Sequence, residues 1–157
     1  SIGGFTGLVL GVLNVDIHLH DTYFVVGHFH YVMFGGTMMG MFAGLHYWFP
    51  KMFGKMYNKM VANISWLTMM IGFNMLYFTM FYLGDQGMQR RYYDFTNEFA
   101  DGHLFATVGS WILIAGVVVM LVNLIQGMRK GTPIGENPWG STTLEWTVPT
   151  PQPQENI

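Results

Sequence analysis

Three long runs without Asp, Glu, Lys or Arg set the main constraint on how this chain folds. They are Thr22–Phe49, Val61–Leu83 (VANISWLTMMIGFNMLYFTMFYL) and Leu104–Ile125 (LFATVGSWILIAGVVVMLVNLI). Each exceeds the roughly 18 apolar residues that mark a membrane-crossing helix. In lipid, backbone polar groups must be paired within the segment, so helices are the natural form. A fourth apolar run, residues 3–13, is too short to cross and has no basic residue before it, so it does not read as a signal peptide. It reads as the end of a helix that starts upstream. The expected fold is all-α: an integral membrane helical bundle of three full transmembrane helices (22–49, 61–83, 104–125) plus the end of a fourth, within a larger subunit. Residues 131–157, with five prolines, are expected to form an extended tail that lies over a partner.

Composition removes other classes. With no cysteine there are no disulfides, thiolate metal sites or iron–sulfur clusters. A net charge of −2 offers no basic face for nucleic acid. The fourteen methionines, with pairs at 38–39 and 69–70, suit adaptable packing between helices.

The links between spans differ in charge. One side carries Lys51, Lys55, Lys59, Arg129 and Lys130. The other carries Arg90 and Arg91 among Asp16, Asp21, Asp85, Asp94, Glu98 and Asp101. The positive-inside rule places the lysine side, and with it the C-terminus, in the cytoplasm or the matrix.

The first span contains a feature that apolar packing does not require: His28 and His30, separated by Phe29. On a strand, residues two apart point the same way and could share a metal. On a helix they lie some 200° apart, with a rise of about 3 Å. The length of the span selects the helix, so each imidazole needs its own partner. Haem iron accepts neutral imidazole and buries its macrocycle among apolar side chains, so two haems on opposite sides of one helix satisfy the spacing. His28 lies about 9 Å inside the span at 1.5 Å per residue. Haem propionates there would reach the side holding Arg90–Arg91, whose guanidiniums suit carboxylates. His20 and Asp21 stand at the same end. They can bind a divalent ion if a partner adds oxygen ligands, or Asp21 can cap the helix. His18 is a third imidazole nearby, and His46 and His103 fall near membrane boundaries. A zinc hydrolase built on His18, His20 and His30 would lack a Glu base beside the histidines. A membrane cytochrome without oxygen chemistry would better suit a spacing of four residues or more.

The string LHDTYFVVGHFHYV resembles the tenth-helix signature of subunit I of the haem–copper terminal oxidases, a twelve-helix-type subunit. DIHLHDTY, HYWFP at 46–50, GMQRRYYDF at 87–95 and STTLEW at 141–146 resemble the C-terminal third of that family, in order. The resemblance implies that His28 is the axial ligand of the high-spin haem and His30 one axial ligand of the low-spin haem, with Phe29 between them. It places Asp16, Arg90 and Arg91 in the propionate region, and His20 and Asp21 at a magnesium site completed by subunit II. It implies two haems (type a, with o or b as alternatives) and copper held by residues outside this chain, because the copper histidines and the second low-spin ligand of the family do not occur here. Implied partners are the rest of subunit I, subunits II and III, membrane lipid, and cytochrome c as donor. The implied location is a bacterial plasma membrane or mitochondrial inner membrane. Gly27 and Gln89 depart from the common alanine and proline of the family. Quinol oxidases often have Asn where Asp21 stands, which favours cytochrome c. The implied activity is reduction of dioxygen to water with proton translocation by the complete complex, the fragment alone being inactive.

Overall fold

A computed structural model describes residues 1–151. Helix α1 covers Ile2–Gly11 and α2 covers Leu13–Leu19. Helix α3 (Tyr23–Val32) runs through a π-helical turn (Met33–Met38) into α4 (Met39–Phe53). Helix α5 covers Lys59–Asp85 and α6 covers Ala100–Lys130. Two short strands, β1 (Lys55–Met56) and β2 (Thr132–Pro133), pair antiparallel and tie the start of α5 to the end of α6. The protein is a membrane helical bundle.

At 27 and 31 residues, α5 and α6 reach about 40 and 46 Å at 1.5 Å per residue, more than the hydrocarbon core of a bilayer. Among the described residues, Lys59–Asp85 and Asn97–Lys130 are long and apolar enough to cross by length and composition, and α1 with α2 meets the same measure if the bent pair is taken as one span. The first expected span differs. From Tyr23 to Phe53 the chain stays helical, but His28, His30, His46 and Lys51 dilute its apolarity. The N-terminal run also differs. It is helical to Gly11, but Val12 is extended and the chain bends by 102° into α2. Helix α2 extends beyond residues 3–13, where a single helix end is expected.

Helices α5 and α6 pack closely through small residues. A Cβ on Gly109 would meet Leu76 N and Met75 Cβ at 2.7 Å, and one on Gly116 would meet Met69 N at 2.8 Å. Close approach of this kind is the usual device of membrane helices, where lipid supplies no hydrophobic drive between them. Helix α3 packs on α5 through Tyr31, Phe73, Tyr77 and Phe81, all buried. Tyr31 Oη donates to Asn74 Oδ1 at 2.7 Å. The outward faces of α5 and α6 remain apolar, with Ile64, Phe78, Trp111 and Ile114 exposed.

The described part of the tail folds back on its own chain. Trp139 Nε1 donates to Tyr47 O at 2.9 Å, and Trp146 Nε1 to Tyr47 Oη at 2.8 Å. Lys51, buried in α4, donates to Pro149 O at 3.3 Å and Thr150 Oγ1 at 3.0 Å and faces the Trp146 ring. These contacts give a buried ammonium oxygen partners in place of a carboxylate. The last six residues of the tail expected at 131–157 lie outside the described residues.

Candidate functional site

Helix α3 presents its two histidines to different neighbours. His28 Nδ1 lies 3.0 Å from Thr6 Oγ1 of α1. Thr6 Oγ1 itself donates to Gly3 O at 3.0 Å, so its hydroxyl proton is engaged and the His28 Nδ1–H is the donor in the pair. His30 Nδ1 lies 2.8 Å from the Val26 carbonyl, which can only accept. A neutral ring at either position thus carries its proton on Nδ1 and keeps the Nε2 lone pair. Neither Nε2 has a hydrogen-bond partner among the described residues. A neutral imidazole whose other nitrogen donates to oxygen is the form in which histidine ligates a metal, and that bond fixes the ring and raises its basicity.

The surroundings hold the rings in place. A Cβ on Gly7 would lie 2.9 Å from His28 Cε1, so glycine there leaves the ring its room. His30 stacks on Tyr77 of α5 at 4.5 Å and 17°, and on Phe29 at 4.7 Å and 30°. The side chains present fit two separate axial-ligand roles for haem iron. Thr6, Gly7 and Tyr77 lie outside the histidine run and nothing in the local sequence marks them.

At the outer end the structure places His18, His20, Asp21, Arg90 and Arg91 around one cavity of about 460 Å³. The backbone assembles it. Thr22 bridges Gln89, Tyr23 N donates to Met88 O at 2.8 Å, and Arg90 N donates to Asp21 O at 2.9 Å. Arg90 Nε then donates to Asp21 Oδ1 at 2.7 Å, and its Nη2 pairs with the same oxygen. The Arg90 guanidinium holds the Asp21 carboxyl below the usual carboxylate range. His20 bridges two carboxylates, with Nδ1 3.7 Å from Asp16 Oδ2 and Nε2 3.6 Å from Asp21 Oδ2.

Of the acidic residues on this side, Arg90 takes Asp21. The helix cap is not Asp21 but Thr22, whose Oγ1 accepts from Phe24 N at 3.3 Å. Asp21 has a left-handed backbone (φ 58), outside the extended region an N-cap requires, and Arg91 is left-handed too (φ 59). No group of three or more His, Cys, Asp or Glu is placed to hold a metal among the described residues. That removes the geometric basis for a zinc site on His18, His20 and His30.

The family model described as "Cytochrome C and Quinol oxidase polypeptide I" matches residues 1–118. Cytochrome c oxidase subunit 1 of Thermostichus vulcanus is 42% identical over 155 residues, which are 99% of this chain and 28% of that protein. Cytochrome c oxidase subunit 1 of Bacillus subtilis (strain 168) is 43% identical over 159 residues, 99% of this chain and 26% of that protein. A heme-copper terminal oxidase dimer solved by cryo-EM superposes with a TM-score of 0.71 at 26% identity, covering 94% of this chain and 30% of that one. The chain thus spans under a third of the length of these relatives. It belongs to the family of cytochrome c and quinol oxidase polypeptide I.

Proposed function

We propose that this chain is the C-terminal part of the catalytic subunit of a cytochrome c oxidase, holding one side of each of two haems. The observation that carries the reading is the paired geometry of α3. Two imidazoles two residues apart are anchored through Nδ1 to different acceptors, and each keeps Nε2 for a separate iron. His28 serves the high-spin haem and His30 the low-spin haem. Haem iron, when bound, supplies the redox couple through which electrons reach dioxygen. The residues of this chain hold, orient and tune that couple. Thr6 sets the tautomer of His28. Val26 O sets that of His30, and Tyr77 fixes its ring plane.

Arg90 uses two of its donors on Asp21 and keeps others, so with Arg91 and Asp16 it forms the propionate region. Asp21 Oδ2 and His20 are the contribution of this chain to a magnesium ion completed by subunit II. Copper ligands come from the upstream part of subunit I. Subunits II and III and cytochrome c complete the assembly, which reduces dioxygen to water with proton translocation. The lysine side and the C-terminus face the cytoplasm or matrix. A quinol donor is the alternative within the family, and Asp21, often Asn in quinol oxidases, favours cytochrome c.

Replacing each histidine in the intact complex tests the assignment. His30→Ala is expected to remove the low-spin absorption component and His28→Ala the high-spin one. Survival of both components would sink the reading.

A further inference from the structure

A second cavity, about 600 Å³, lies where α6 ends and α5 begins, and neither His28 nor His30 lines it. We propose that it binds the phosphate of an anionic phospholipid headgroup. The proposal depends on the chain being a membrane bundle, not on the haem assignments.

The lining is basic and amide-rich. Arg129 and Lys130 are exposed and form no ion pair among the described residues. Asn58 and Gln126 bring side-chain amides. Asn58 Oδ1 accepts from Met60 N at 3.0 Å and Val61 N at 3.2 Å, which leaves its NH₂ to donate outward. No Asp or Glu occurs between residues 51 and 63 or between 120 and 135, so no carboxylate from these segments competes for the bases.

The plain alternative is that Arg129 and Lys130 serve the negative end of α6. Lys55 already does this. Its Nζ donates to Met128 O at 3.0 Å and Arg129 O at 3.5 Å, and Gly131 N closes on Gly127 O at 2.9 Å. The two terminal bases are therefore left to face the cavity. Depth selects lipid over a soluble anion. Arg129 and Lys130 lie four and five residues past Ile125, the end of the apolar run, or about 6–8 Å along the axis. That is the headgroup zone, which adds roughly 5–7 Å per leaflet to the hydrocarbon core. Val122 and Ile125, exposed on the same helix, continue the site toward the acyl chains.

The test uses the complete detergent-purified oxidase complex and native mass spectrometry, with phosphatidylglycerol and phosphatidylcholine offered in turn. The wild type is expected to retain one more phosphatidylglycerol than the double variant R129Q/K130Q and to show no such difference for phosphatidylcholine. Each juxtamembrane base contributes roughly fivefold in affinity for an anionic lipid, so the double change weakens retention by about 25-fold. The charge-conserving pair R129K/K130R restores it. Unchanged haem absorption confirms assembly, and if the double variant does not assemble, R129Q and K130Q singly carry the test with a partial loss each. Equal retention in wild type and variant, or equal loss of both lipids, overturns the proposal. So does inorganic phosphate that displaces the retained lipid at equal concentration, since that would identify a soluble anion as the occupant.

Discussion

Thr6 shows how a single hydroxyl can act on an imidazole 22 positions away. It donates to Gly3 O and so can only accept from His28. Thr6→Val removes that acceptor while nearly keeping the volume. His28 then loses its Nδ1 partner and, in the proposed assignment, becomes a weaker donor to iron. The iron–histidine stretch of the high-spin haem is expected to fall in resonance Raman, its potential to rise, and haem retention to drop about tenfold or more. Thr6→Ser should behave as the wild type, and a stretch unchanged in Thr6→Val would refute the role. The histidines themselves were legible, because imidazoles in an apolar helix demand partners. Thr6 and Tyr77 were not, because nothing in an apolar run says which remote side chain meets a ring. The same holds for Asp21, whose partner was set by the backbone bonds that bring Arg90 beside it. Its carboxyl titrates below its ordinary value of 3.8 because Arg90 favours the charged form. A lowered folded pKa means the contact stabilises above the unfolded value and is lost as pH falls through the folded one. Protection of the Arg90 amide, taken relative to its intrinsic exchange rate, should therefore fall in the wild type below about pH 4. Asp21→Asn should show no step in that window, and matching profiles for the two proteins would refute the linkage.

At the scale of elements, α5 and α6 follow from their apolar runs, since length and the need to pair the backbone in lipid leave few other forms. Two features escaped. The π-helical turn at Met33–Met38 meets α5 through Phe34 and Gly35, which pack on Phe73, and no local pattern encodes that fit. The bend at Val12 arises within a run that looks continuously apolar. The contact between α5 and α6 yields a prediction. Gly109 sits against the backbone of Leu76, so even a methyl group must push the helices apart. Gly109→Ala should destabilise the assembled subunit by about 1–3 kcal/mol, the usual cost of overpacking. Gly135→Ala, where an added Cβ meets nothing within 4 Å, should be neutral. Denaturation of the complex in graded SDS measures both, and equal midpoints for the two variants would show that this contact does not limit stability.

Across the whole molecule, charge asymmetry and fold agree on two ends of opposite character. Five bases sit at the end where the tail packs on Tyr47 and Lys51. At the other end only Arg90 and Arg91 are basic, and Arg90 is neutralised by Asp21. Because the positive-inside rule counts bases rather than net charge, the bias rests on five bases at one end against two at the other. Topology can be measured directly because the chain has no cysteine of its own. Single cysteines at Thr132 and at Asn97, placed in the full subunit with the remaining native cysteines replaced, report the two ends. In intact bacterial cells a membrane-impermeant maleimide should label the Asn97 position and leave the Thr132 position unlabelled until the membrane is opened. The reverse pattern would invert the orientation. It would also move the lipid site to the outer leaflet and place the Asp21–Arg90 cluster on the cytoplasmic side.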